Sequence, residues 1–165
     1  MKLQDYEEIL GKERIYSIQN LASKLEGKTI QHINSTAAGG GVAEILKRLV
    51  PLMEDVGLRV FWDVMEGTPE FFRVTKVFHN AFHGQQVEVT QEMMDLYRRV
   101  NRRNQDIIRR DADFVILHDQ QPLGLTEVRS GHSGSWIWYC HIDPVDADPR
   151  VWNFLRPMVT WCDAS

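Results

Sequence analysis

Apolar residues recur at helical spacing in the first stretch of the chain: Leu3, Tyr6, Ile9 and Leu10, then Ile15, Ile18, Leu21, Ala22 and Leu25. Gly11 separates the two runs, and Gly27 stops the second as a C-terminal cap does. A short strand is predicted at about Thr29–Asn34, followed by the loop Ser35–Gly41. Val42, Ile45, Leu46, Leu49, Val50, Met53 and Val56 then make an uninterrupted helical stripe. Pro51 lies inside that stripe and predicts a kink or a weakened second half. Gly57 ends it, and Leu58–Met65 is rich in strand formers. Thr68 reads as an N-cap with Pro69 at the first helical position, opening a helix to about Phe82 that ends at Gly84. A further helix is expected over Thr90–Arg110, capped by Thr90. Asp113–His118 and Trp136–His141 read as buried strands, with a Gly/Ser-rich surface loop at Arg129–Ser135 between them. Pro149 starts a last helix, and Val159–Ser165 reads as the start of a further element.

Two helices followed by alternating strands and helices predict an α/β fold: a Rossmann-like, doubly wound, mostly parallel sheet with helices on both faces. No repeat or low-complexity stretch interrupts it. At 165 residues there is room for one hydrophobic core, so residues 1–165 are expected to be a single domain. The 43% hydrophobic and 25% charged content excludes disordered, collagen-like and coiled-coil classes. No apolar run approaches the roughly 20 residues of a membrane span, and no signal peptide opens the sequence, so no membrane partner is expected. Two cysteines, Cys140 and Cys162, are too few for a disulfide framework and point to a reduced, cytoplasmic setting. A net charge of -4 argues against a nucleic-acid partner. Five tryptophans and seven phenylalanines, several near polar loops, favour a ligand-binding or enzymatic domain.

Ligands of such sheets bind outside the carboxyl ends of the strands. There the first strand delivers Asn34, Ser35 and Thr36 before Gly39, Gly40 and Gly41; the second delivers Glu66, Gly67 and Thr68; the third His118 and Asp119; the fourth His141 and Asp143. Three glycines in a row let a ligand approach the backbone where the next helix aims its first N–H groups, which suits a phosphate or a sugar. The loop is neither a dinucleotide fingerprint nor a P-loop, because G-x-G-x-x-G and Gly-Lys-Ser/Thr are both missing. Asp119 is placed to accept from sugar hydroxyls, and His141 to donate to a sugar or phosphate oxygen. Adjacent in extended chain, His118 and Asp119 point to opposite faces and need not be partners. His79 and His83 have zinc-ligand spacing, but the glutamate of H-E-x-x-H is missing, and no metal site is expected. The basic cluster Arg98, Arg99, Arg102, Arg103, Arg109 and Arg110 reads as a solvated face, with Asp95–Arg99 and Asp106–Arg110 as ion pairs. A Ser-His-Asp hydrolase is disfavoured because no G-x-S-x-G elbow exists.

The segments HINSTAAGGGVAEIL (32–46), GTPEFFRVTKVFHNAFHG (67–84), HDQQP (118–122) and WIWYCHID (136–143) resemble the trehalose glycosyltransferring synthases and the related retaining trehalose phosphorylases. Both are retaining glycosyltransferases of the two-domain GT-B architecture, and the likeness runs from about Leu3 to the last residues. The resemblance implies an amino-terminal, acceptor-side domain of an enzyme that moves glucose from a nucleotide-diphosphate glucose to glucose, forming trehalose with retention. It implies that Gly39, Gly40 and Gly41 line the donor, that Asp119 and His141 act at the reacting centre, and that Asn34, Glu66 and His118 border the acceptor. Sugars and the nucleotide sugar are the implied partners, with no cofactor. The family's HDPQP is HDQQP here, the loop 129–135 diverges, and Asp143 is followed by Pro144 and Val145. The second domain of the family is absent from these 165 residues, so the chain alone is expected to be inactive and to expose apolar surface that favours a homodimer. A phosphorylase-type enzyme and a non-catalytic sugar-binding module are the alternatives.

Overall fold

The computed structural model describes residues 2–165. A 3-10 turn at Leu3–Tyr6 leads into α1 (Glu7–Leu10) and α2 (Lys12–Ser23), separated by Gly11 at φ 79°. The rest follows as β1 (Thr29–Asn34), α3 (Gly41–Asp55), β2 (Arg59–Val64), α4 (Pro69–Phe82), α5 (Gln91–Arg103), β3 (Phe114–His118), β4 (Ser135–Tyr139) and α6 (Pro149–Val159). The four strands form one parallel sheet in the order β2-β1-β3-β4, so the chain winds outward from β1 first one way and then the other. This is the doubly wound, Rossmann-like arrangement expected from the strand–helix alternation.

Alternation along the strands divides the side chains between two faces. Ile33, Val115, Leu117, Trp136 and Trp138 enter the main core with Phe71, Phe78 and Phe82 of α4, Tyr97 and Val100 of α5, and Val151, Phe154 and Leu155 of α6. Ile30 and His32 point the other way, where Ala43 and Leu46 of α3 are fully buried. The predicted caps form: Thr68 Oγ1 accepts from Phe71 N and Thr90 Oγ1 from Met93 N, while Asp148 caps α6.

The structure corrects several element boundaries. α3 keeps close to its expected limits, running through Pro51 to Asp55, but others move. The helix expected to reach Arg110 stops at Arg103, because Asn104 turns its amide onto the tip of β2, donating to Glu66 O at 2.8 Å and accepting from Glu66 N at 2.6 Å. The chain then descends to β3 with Gln31 holding it, its amide donating to Ile107 O and accepting from Arg109 N. The loop expected at Arg129–Ser135 begins inside a 3-10 stretch, Leu123–Gly131. Asp163 grips the Arg129 guanidinium with both oxygens, at 2.6 and 2.7 Å. After α6, Asp163 N donates to Trp136 O and Trp138 N to Ala164 O, laying Ala164 parallel to β4. The arginine face also pairs differently: Arg98 and Arg102 both reach Glu127, while Asp95 accepts from Gln91. Among the described residues no helix is long and apolar enough to cross a membrane.

Candidate functional site at the strand tips

Beyond the carboxyl end of β1, Asn34 shapes the loop from inside. It is 3% exposed; its Nδ2 donates to Thr36 O at 2.8 Å and its Oδ1 accepts from Trp62 Nε1 at 2.9 Å. The three glycines that follow have different reasons to be glycine. Gly39 sits at φ 80°, in the left-handed region where a Cβ is strained. Gly40 and Gly41 have no such constraint: a Cβ on Gly40 would lie 3.5 Å from Thr36 Cγ2, ordinary contact, and one on Gly41 would meet nothing. Neither backbone strain nor packing within the chain calls for glycine at these two positions. Gly40 carries no side chain to cap α3, so the first N–H groups of that 15-residue helix have no side-chain cap beside the loop.

Asp119, immediately past β3, is the one described non-glycine residue at positive φ, 62°. Aspartate tolerates this conformation because its short polar side chain bonds locally. Here Oδ1 accepts from His141 N at 2.7 Å and so ties the tips of β3 and β4 together. Burial pushes the Asp119 carboxyl above its usual range, opposed by that N–H and by the nearby His141 and His79 rings. His79 reaches this neighbourhood from α4, and burial lowers its own pKa, with Lys76 and His83 adding to the effect. Cys140, at the tip of β4, has its thiol pushed up by burial.

His118 is enclosed by the protein. It is 2% exposed and bonded on both sides to other histidines: Nδ1 to His141 Nε2 and Nε2 to His32 Nδ1, each at 2.9 Å. Burial holds its pKa down at about 3 and that of His32 at about 4, so both rings are neutral. His141 is half-buried, and the edge of Tyr139 packs against it at 4.4 Å between centroids. Glu66 has an exposed side chain at the tip of β2, and its backbone is the part clamped by Asn104.

The tips thus bring together Asp119 and His141 directly, with His79 in electrostatic reach of Asp119. Of the residues expected to border the acceptor, Asn34 and His118 are buried and hydrogen-bonded to their neighbours. The sequence does not single out His32, and it singles out His79 only for a zinc-ligand spacing at which no metal site is expected. His79 and His83 pack edge to face at 4.9 Å, and among the described residues no three His, Cys, Asp or Glu side chains converge as metal ligands do. Gln120, where the sequence departs from HDPQP, is fully buried and donates to Thr75 O of α4 at 3.1 Å. A cleft of about 400 Å³ walled by Gln105, Asp106, Arg110 and His132 lies beside the connections entering β3 and β4, away from these tips.

Residues 32–165 match the family model described as trehalose synthase, N-terminal domain. The chain belongs to that family. It is 47% identical over 160 residues to a trehalose synthase of Pyrococcus horikoshii, a match covering 96% of this chain and 38% of that protein. A trehalose phosphorylase of Pleurotus pulmonarius is 31% identical over 100 residues, covering 58% of this chain and 14% of that protein. Among solved structures, the α,α-trehalose 6-phosphate synthase of Burkholderia multivorans superposes with a TM-score of 0.53 at 16% identity, over 82% of this chain and 37% of that one. That likeness shows a shared fold, the Rossmann-like layering of GT-B glycosyltransferases. The chain spans about two fifths of the length of the curated synthases it matches.

Proposed function

We propose that this chain is the acceptor-side domain of a retaining glucosyltransferase that moves glucose from a nucleotide-diphosphate glucose to free glucose, forming trehalose. Its membership of the trehalose synthase N-terminal domain family supports a trehalose-forming transfer. The observation that carries the reading is the pairing of Asp119 with His141 across two strand tips, on the same carboxyl edge as a loop whose second and third glycines have no internal reason to be glycine. Gly39, Gly40 and Gly41 then border the donor, and Asp119 and His141 hold sugar oxygens near the reacting carbon. Glu66, exposed at the tip of β2, borders the acceptor.

Retention without a protein nucleophile is met by front-face attack. The bond from the anomeric carbon to the diphosphate oxygen breaks while the acceptor hydroxyl oxygen bonds the same face. The hydroxyl proton passes to the departing phosphate oxygen, so no residue of this chain needs to take it. What the domain contributes is alignment of the two sugars and a dry, polar wall. The donor diphosphate is gripped mainly by a second domain, without which this chain is inactive; no cofactor or metal is called for, and the setting is cytoplasmic. Ile9, Tyr16 and Val145, all more than 70% exposed, are available for covering by that domain or by a second copy.

The test is calorimetric titration of the chain with glucose, trehalose and a nucleotide-diphosphate glucose. Binding of glucose or trehalose that disappears in His141→Ala and in Asp119→Asn supports the reading. Asparagine is the cleaner probe at position 119, because it tolerates the left-handed backbone and still accepts from His141 N. Sugar binding untouched by both substitutions would falsify the placement of the site. In the two-domain enzyme, His141→Ala is expected to slow glucosyl transfer by about 10²-fold or more, the typical loss of one transition-state hydrogen bond.

Phosphorolysis of trehalose is the second reading, favoured by the 31% identity to the Pleurotus pulmonarius enzyme. It uses the same strand tips with phosphate in place of the nucleotide. Trehalose consumption in the two-domain enzyme that requires inorganic phosphate and ignores nucleotide selects it.

A further inference from the structure

Three histidines climb across the sheet in a staircase. His32 on β1 is in register with Ile116 on β3, and His118 lies two residues beyond Ile116. His118 in turn is in register with Tyr139 on β4, and His141 lies two residues beyond that. Each step moves one strand over and two residues up, so all three rings share one face of the sheet. Consecutive rings stack with centroids 5.2 Å apart, tilted by 25° and 22°, and the bonds Nδ1···Nε2 are both 2.9 Å. The staircase starts in the buried interior, at His32, and ends at the half-buried His141 in the candidate site.

A chain of neutral imidazoles has two possible directions. In one, His141 Nε2–H donates to His118, His118 Nε2–H donates to His32, and His32 is left with its own Nε2–H pointing at nothing. In the other, His32 Nδ1–H donates to His118 Nε2, His118 Nδ1–H donates to His141 Nε2, and His32 is left with a bare lone pair. The deciding atom is His32 Nε2, which is buried without any hydrogen-bond partner. A buried orphan N–H is rarer and costlier than an under-used acceptor, so the second direction wins. The low pKa values of His32 and His118, about 4 and about 3, exclude a charged ring inside the chain at neutral pH.

We propose that His32 and His118 are positioning residues that fix the His141 ring with its proton on Nδ1, so that it meets the ligand as a hydrogen-bond donor and not as a base. His141 Nδ1 has no protein partner among the described residues, whereas its Nε2 lone pair is occupied by His118. A ligand atom opposite Nδ1 must therefore be a hydrogen-bond acceptor such as an oxygen. The proposal rests on the transferase reading only for the identity of that acceptor, which is a sugar hydroxyl or ring oxygen. It also sharpens that reading, because a ring held this way has no free lone pair with which to deprotonate the acceptor.

The tautomer is directly observable in the 165-residue chain by long-range proton–nitrogen correlation of the imidazole rings, recorded above neutral pH. The His141 signals are identified by their loss in His141→Gln. The expected result is protonated Nδ1 and unprotonated Nε2 at His141, in an excess of about tenfold over the other tautomer, given the strength of buried hydrogen bonds. A predominant Nε2–H form, or an even mixture, overturns the proposal. His118→Leu should abolish the excess, and His118→Asn, whose amide N–H stands near the position of Nδ1–H, should restore it. An excess that persists in His118→Leu shows that His118 does not set it and overturns the proposal as well. Where a variant fails to fold, the spectrum of the unaltered chain still decides. A fixed Nδ1–H tautomer in a chain whose His141→Ala variant binds sugar normally would count against the transferase site and leave the relay standing.

Discussion

The two faces of the sheet are buried to similar depth but by different means. On one face α4, α5 and α6 close over Ile33, Val115, Leu117, Trp136 and Trp138, and the contacts are aromatic: Tyr97 packs against Phe71, Phe78 and Phe154 at 6.1, 5.6 and 5.5 Å. On the other face, under α3, the buried positions at the centre include His32, Asn34 and His118, joined to one another's neighbours by directed hydrogen bonds. Apolar burial is non-directional and contributes stability roughly in proportion to area. Buried polar groups contribute little net stability, since each bond replaces one to water, but they fix orientation and penalise any rearrangement that leaves a partner unpaired. The first face holds the fold together, and the second holds the candidate site in one arrangement.

Truncating the aromatic face should have the largest effect. Phe78 is fully buried against Tyr97 and Phe154, and Phe78→Ala is expected to cost about 3–5 kcal/mol of stability in a urea titration. The same variant should keep the His141 tautomer, because the staircase lies on the opposite face. Loss of both together would mean that the two faces are not separable. Next in size is an acid sensitivity that only the polar face carries. His32 and His118 have their pKa values lowered by burial from 6.5 to about 4 and about 3. Below pH 6.5 the unfolded chain binds these protons and the folded chain does not. Stability is therefore full above that pH and lost as the pH falls toward 4, by roughly 1.4 kcal/mol per pH unit for each histidine. Between pH 6 and 5 the expected loss is roughly 2–3 kcal/mol, before most carboxylates titrate. His79, whose pKa is also lowered, adds in the same direction. A His118→Leu chain should show a shallower slope over this interval; an unchanged slope would separate the histidines from the acid response.

The first face was legible in the sequence and most of the second was not. Helical stripes and strand runs announce themselves by period, so Thr29–Asn34 and the start of α4 at Pro69 coincide with their predicted limits. The overlong helix to Arg110 shows what period cannot see: the stop at Arg103 comes from the Asn104 amide reaching Glu66, 38 residues away. At the site, Asp119 and His141 could be placed on neighbouring strand tips because parallel topology puts every such tip on one edge. The staircase needs the register of three strands drawn from three separate stretches of chain, and nothing in a single sequence fixes that register. His118, expected beside the acceptor, has hydrogen-bond partners 86 and 23 positions away that no local pattern announces.

The smallest effects come from the glycine loop, where stability and binding should part company. Gly39→Ala forces a Cβ into the left-handed region at φ 80° and is expected to cost about 1 kcal/mol. Gly40 lies in extended backbone, φ -142° and ψ 154°, with its would-be Cβ in ordinary contact with Thr36. Gly40→Ala should change stability by less than about 0.5 kcal/mol, or raise it slightly by stiffening the unfolded chain. If a ligand approaches the backbone at this position, the same methyl group obstructs it, and a nucleotide-diphosphate glucose should bind the two-domain enzyme more weakly than it binds the unaltered protein. Calorimetry on the Gly39→Ala and Gly40→Ala variants makes the contrast a matched pair. Affinity kept in Gly40→Ala would reduce the loop to a tight turn that needs only its first glycine. Affinity lost there, with stability intact, would tie the glycine to the ligand alone, because the fold has no use for it at that position.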